Sequence, residues 1–389
     1  METNAEVFVS KYQLDAVNFD VFNDQRLIQE NEVLDTGLKF DGRFSLNDRF
    51  SLHSGYQFFE IGVTNLEDIN APRFRRLIKK VIRSHAAFGE VSYGSKSGST
   101  NARLGLRGNY FSKFDKFIFE PRLAFSQQFL KYFTWEVLGE FKNQTATQTI
   151  DLQNDFLGIE KRRWVLSDND SIPIVQSKQI SIGVNFHKND LLISLDGYIK
   201  NVEGITTASQ GFQNQFQFIP STGNYEVVGI DLLINQQIDR FRLWMSYSAT
   251  ENTYDFPELM PPSFPNNLDI RHTVSFGTSY QSDRFQASIG FNWNSGRPFT
   301  PALGITNDEI GFHSPNSDHL RDYLRLDISA KYNFQLNPKV KAQIGASVWN
   351  ALDRENIFNQ YYQVGDNGLQ PITQNALGLT PNLTFRVSF

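Results

Sequence analysis

Cysteine is absent from the chain. That excludes a disulfide framework, a thiol nucleophile and a thiolate metal site. Long apolar runs are missing too: no stretch approaches the ~18–20 consecutive apolar residues of a membrane-spanning helix. Positive charge is not in surplus. The formal net charge is −5, whereas binding to phosphate backbones needs concentrated Lys and Arg, so no nucleic-acid partner is expected. There is no Gly-rich P-loop with Lys-Ser/Thr, no Gly-x-Ser-x-Gly elbow and no His-Glu-x-x-His. The histidines, His53, His85, His187, His272, His313 and His319, are scattered. No catalytic residue, cofactor or metal is therefore assigned. Residues 1–11 also lack the basic segment and apolar run of a secretory signal.

What is present is aromatic. The chain holds 35 Phe and 14 Tyr in 389 residues, yet its mean hydropathy is −0.39. Apolar side chains are abundant but always diluted. Strands that put alternate side chains into lipid and into water have this composition, and strand repetition lengthens one domain without deepening its core. Period-2 alternation recurs after about residue 36. Leu324, Leu326, Ile328, Ala330, Tyr332 and Phe334 alternate with Arg325, Asp327, Ser329, Lys331 and Asn333. Phe285, Ala287, Ile289, Phe291 and Trp293 alternate with Gln286, Ser288, Gly290 and Asn292, and the chain ends Leu383, Phe385, Val387, Phe389 in the same manner. These runs are about 10–14 residues long, against ~5–6 for soluble strands and ~9–11 for a tilted membrane strand.

Connections alternate in length. Short links fall near residues 45–48, 95–100, 127–130, 188–190, 236–239, 281–283 and 335–338. Longer ones span 64–84, 146–175, 205–222, 252–268, 297–320 and 352–379, with a brief turn at 112–115. Short periplasmic turns opposite long external loops mark bacterial outer-membrane barrels. The expectation is an all-β fold: a transmembrane antiparallel barrel in the outer membrane, with about 16 strands. Its first segment, around 7–21, is poorly patterned because Lys11, Gln13 and Asp15 interrupt the phase of Val7, Val9, Val17 and Phe19.

Several motifs resemble TonB-dependent receptors of the Bacteroidetes type. They are GLRGNYF (105–111), FEPRLAF (119–125), DGYIKNVEGI (196–205), GNYEVVGIDLLI (223–234), FPNNLDIRHTVSF (264–276), NSGRPFTPA (294–302), DYLRLDISAKYNF (322–334) and VWNALDRENIF (348–358), with the terminal Phe389. The resemblance covers about 85–389 and extends more weakly over 1–84. It implies a 22-stranded barrel filled by an N-terminal plug. About 16 strands and no plug are present here, so residues 1–389 are expected to be part of such a barrel. Strands upstream of Met1 are expected to complete it, and signal and TonB-contacting regions to precede them. The implied function is TonB-energised uptake of a scarce or bulky nutrient, whether ferric chelate, cobalamin, glycan or peptide. The implied partners are outer-membrane lipid, the TonB complex and the nutrient. The alternative is a complete passive porin of about 16 strands.

Candidate contacts follow from local chemistry. The amide- and aromatic-rich loop 209–222 offers Phe212, Phe216 and Phe218 for ligand contact or for loop-on-loop packing. His313 and His319 share a loop with Asp308, Glu309 and Asp318, as chelate contacts or as a solvated loop. Arg271, Arg325, Asp327 and Lys331 fall on the phase facing the lumen. In 73–83, Phe74, Leu77, Ile78, Val81 and Ile82 recur at helical spacing, so a basic amphipathic helix is expected, either folded over the rim or meeting lipid phosphates.

Overall fold

A computed structural model describes residues 1–150, 162–168, 170–306, 309–365 and 368–389. Sixteen long strands form one antiparallel sheet in up-and-down order. They are β1 (Glu2–Asp20), β2 (Gln25–Ser45), β3 (Phe50–Ile69), β4 (Phe74–Gly94), β5 (Thr100–Phe111), β6 (Lys116–Phe129), β7 (Phe133–Gln144) and β8 (Val175–Lys188). There follow β9 (Leu191–Thr206), β10 (Thr222–Ile238), β11 (Phe241–Asp255), β12 (His272–Gln281), β13 (Phe285–Asn294), β14 (Tyr323–Asn337), β15 (Val340–Trp349) and β16 (Thr380–Ser388). Each pairs with its sequence neighbour. Among the described residues β1 pairs only with β2 and β16 only with β15, so each leaves an edge. A complete 16-stranded porin has no such edges.

Alternation sorts the two faces. On the outer one, direct register carries an apolar row from Val91 through Leu104 and Leu123 to Gly139, Ile180, Ile199 and Val228. A second row runs Ile289, Ile328, Val348. Many of these side chains are exposed, Leu104 at 65% and Ile180 at 56%, which is tolerable only against hydrocarbon.

Aromatic girdles bound this belt. Towards the long connections Leu38, Phe58, His85, Tyr110 and Phe117 follow one another in register. Beyond them the outer face turns ionic, with Arg83 on Glu60 and Lys11 on Glu32. Towards the short turns stand Phe50–Tyr93, Phe133–Phe186, and Phe241–Tyr280. On β4 the span from His85 to Tyr93 is about 26 Å along the strand; a tilt of about 40° reduces it to ~20 Å of membrane.

This geometry explains two departures from the sequence reading. Residues 64–84 do not form a loop and 73–83 do not form a helix: β3 and β4 run on past the girdle and meet in a tight turn after Ile69. Helical spacing was present, but β3 supplies a complete hydrogen-bonding partner, pairing Leu77 with Leu66 and Ile82 with Ile61. Ile82, 2% exposed, then enters an apolar cluster with Val63 on the inner face. The broken phase of β1 has the same origin. Lys11, Gln13 and Asp15 lie beyond the girdle, where the outer face meets water and Lys11 pairs with Glu32 at 2.8 Å.

The long connections fold over the inner face. The strand Arg162–Leu166 crosses β2 and β3, where the Trp164 carbonyl accepts from Asn31 and Asn65 and its N–H donates to Asn31. Leu166 and Ile174 fill a core made by Val63, Ile82, Phe111 and Ile118 of β3–β6.

Candidate functional site

The second core sits in the loops above β9–β11. Phe212 and Phe216, on the connection between β9 and β10, are 1% and 3% exposed. They pack with Val202, Ile205, Tyr254, Phe256, Leu259 and Phe264. Phe212 meets Tyr254 edge-on at 5.3 Å and Phe256 at 5.7 Å, a geometry that adds to simple burial. Of the two roles open to these rings, the structure shows loop-on-loop packing. The Phe218 side chain lies outside the described residues.

Buried amides tie this core to its neighbours. Asn214, 2% exposed, donates to Thr300 Oγ1 at 3.1 Å. Thr300 Oγ1 accepts from the Asn316 N–H at 3.0 Å, and Asn316 Nδ2 donates to the Pro265 carbonyl and to Asn267 Oδ1. Asn267 Nδ2 donates to the Gln210 carbonyl, and the Tyr254 hydroxyl to Gln210 Oε1. These bonds tie three loops into one block and rigidify it, although Gln215 Oε1 and Ser221 Oγ are buried there without a partner among the described residues.

Beneath and beside this block lies a cavity of about 890 Å³. Its wall is the inner phase of four strands: Gln179 of β8, Tyr198 and Lys200 of β9, Tyr225 and Val227 of β10, Asn252 and Tyr254 of β11. Its roof is Gln210, Gln213, Asn266 and Asn267, the run from Arg297 to Thr300, and Phe358 to Tyr362 of the hairpin Ile357–Gly365 with Gly368–Asn375. Two glycines make the packing possible. Tyr198 lies over Gly229, where a Cβ would come within 2.6 Å of its ring. At Gly296 a Cβ would collide with the Leu320 carbonyl, so only glycine lets the two chain segments touch and aims Arg297 inward. Arg297 Nη1 donates to the Phe358 carbonyl at 3.1 Å. Burial pulls this guanidinium below its ordinary pKa, the nearby Tyr254 opposing.

The other candidates are dispersed. His313 and His319 are exposed, His319 in a short pairing with Pro298. No group of three or more metal-binding side chains occurs among the described residues; Asp308 lies outside them, as does the Glu309 side chain. Arg271 donates to Asp269 at 2.8 Å and pairs with Glu251 at the rim. Arg325 and Asp327 pair with each other at 2.9 Å, Arg325 lies over the Trp349 ring, and Asp327 accepts the Asn350 N–H. Lys331 is exposed on the same phase. Lys200 and Arg297 were not singled out as contacts from the sequence, although both lie in motifs quoted above, DGYIKNVEGI and NSGRPFTPA. The signal available was, for Lys200, a cation on the inner phase of its strand four residues from the nearest acid on that phase, Asp196.

The family described as TonB dependent receptor-like, beta-barrel matches residues 4–350. The chain belongs to that family. Comparison with curated protein sequences finds no match. Among solved structures the chain is similar to the unliganded ferric citrate transporter FecA, with TM-score 0.69 and 9% identity over 99% of this chain and 59% of that one. It is also similar to the copper transporter OprC, TM-score 0.66 and 13% identity, covering 99% and 61%. The ferric enterobactin receptor PfeA of Pseudomonas aeruginosa gives TM-score 0.64 and 12% identity, covering 99% and 62%. At these identities the likeness is one of fold. This TonB-dependent receptor barrel spans about three fifths of the length of the structures it matches.

Proposed function

We propose that residues 1–389 are the wall and external loops of a bacterial outer-membrane receptor that takes up a scarce or bulky nutrient. The uptake is powered through TonB by way of an N-terminal plug-bearing region. The nutrient is a ferric chelate, cobalamin, glycan or peptide, and the loop-roofed cavity is where it is first held. The observation that carries this reading is the family match over residues 4–350. The amide and aromatic lining of the cavity supports it, since such walls recognise ligands through hydrogen bonds and flat contacts rather than through chemistry. The lipid-facing belt and its two girdles support placement in the outer membrane.

The test is uptake in the native host. Deleting the gene should abolish growth on one limiting nutrient, and removal of TonB or collapse of the proton-motive force should have the same effect. Growth that depends on the gene but persists without TonB would overturn the energised reading and favour a passive channel.

A further inference from the structure

Among the described residues the cavity under the loops is charged in one sense only. Lys200, Arg297 and Arg162 line it, and no carboxylate does among the described residues. Lys200 forms no ion pair among those residues. The nearest acids on the inner phase of its own strand and the next lie deeper: Asp196 and Asp231, opposite each other in register, whereas Glu226, beside Val227, shares the outer phase of Val228. Asp196 is four residues from Lys200, about 13 Å along β9, and accepts a hydrogen bond from the Ser194 hydroxyl. Glu203 is on the outer phase, bound to Lys178, and Glu251 is taken by Arg271.

A cation held partly out of water without a counter-charge is costly, and an arriving anion recovers that free energy. Arg297 is such a group, its guanidinium drawn down by burial and bonded to a neutral carbonyl. At about 890 Å³ the space suits one compact ligand, within the ~300–1,000 Å³ of ordinary ligand pockets. Tyr198, Tyr225 and Tyr362 present flat rings around it.

We propose that this cavity is an oxyanion-recognition site. The ligand carries at least one negatively charged oxygen group seated towards Lys200 and Arg297, with the rest of its body against the tyrosine rings. This names the substrate class of the uptake reading above and rests on it for physiological meaning. Binding itself does not depend on energy supply.

The absence of cysteine from residues 1–389 provides the test, any cysteine elsewhere in the protein being replaced by serine. A single cysteine is placed in the cavity as Gln213→Cys and, as control, on the exposed surface as Ser314→Cys. The full protein, in outer membranes of cells lacking TonB, is labelled with a sulfonate-bearing or a trimethylammonium-bearing methanethiosulfonate of similar size. The thiolate displaces methanesulfinate from either reagent, so the two differ mainly in charge. The anion-to-cation rate ratio at position 213 should exceed that at 314 by about 10-fold or more, the low end of the effect of a one-sign cleft. It should fall about 3-fold with Lys200→Met and approach the control when Arg297→Gln is added. Lys200→Met changes a strand residue, so its labelling can be read with heat-modifiable gel migration unchanged. A ratio no higher than the control, or one that survives both substitutions, overturns the proposal. Loss of TonB-dependent uptake bears on the transport reading and leaves this result standing.

Discussion

Ile328 is the most direct probe of which face meets lipid. It stands mid-belt on β14, between Ile289 of β13 and Val348 of β15 in direct register, and is 44% exposed. Leu324, opposite Trp293, lies four residues to one side and Tyr332 four to the other, about 13 Å each way along the strand. Arginine at this depth cannot readily reach either interface, and at the midplane of a barrel it costs about 2–4 kcal/mol. At 1.36 kcal/mol per factor of ten, that is roughly 30- to 900-fold in the folding equilibrium. The adjacent Asp327 points to the other side, holding Arg325 and the Asn350 N–H. Asp327→Asn keeps an oxygen acceptor and weakens only the ion pair, an effect of about 1 kcal/mol for a partly exposed pair. Folding into liposomes, followed by heat-modifiable migration across a urea series, should show Ile328→Arg strongly impaired and Asp327→Asn near wild type. Equal tolerance, or the reverse order, would refute the assignment of faces.

Other outcomes follow from the loops and turns. In intact cells an impermeant thiol reagent should label Ser314→Cys on a long connection and spare Asn189→Cys in the short turn between β8 and β9; the opposite result would invert the orientation. Phe212→Ala empties a site that is 1% exposed in the loop core and should cost about 3–5 kcal/mol. Proteolysis should then cut the 207–221 loop while the strands stay resistant. Gly296→Ala must displace the Leu320 segment, so it should loosen the loops and reduce the charge selectivity of labelling at position 213, with barrel migration unchanged. Burial pushes the Asp168 carboxyl up, but hydrogen bonds from the Ile172, Ser171 and Asp170 N–H groups and from Lys80 outweigh it, holding the pKa at about 2. A depressed carboxylate pKa stabilises above the unfolded value of about 3.9 and loses its effect as pH falls towards 2. Hydrogen exchange in 162–174, corrected for intrinsic rates, should therefore be flat from pH 8 to 5 and rise below 4, whereas Asp168→Asn should raise it at neutral pH. A rise already at pH 6 in the wild type would contradict this account.

Alternation by itself determined the sheet, its two faces and its polarity. A period of two cannot be satisfied by a helix buried on one side, and Leu324 to Phe334 in that phase specify a strand with lipid on one face and water on the other. The spacing between runs placed the short turns near 188–190, 236–239 and 281–283, but it misread 64–84, where two strands meet in a tight turn, as a long connection. What the sequence could not decide lies where periodicity stops. The run 73–83 fits both a helix and a strand, and only the presence of β3 beside it, offering a full ladder of backbone partners, selects the strand. Phe212 and Phe216 have the composition of a ligand-binding loop. Their burial depends on Tyr254, Phe256 and Phe264 arriving from the next hairpin, a contact set by loop packing rather than by local pattern. Lys200 and Arg297 are nearly a hundred residues apart in sequence. They share a cavity because β9 and the connection after β13 converge over the same stretch of wall, and charge acquires its meaning there from what surrounds it in space.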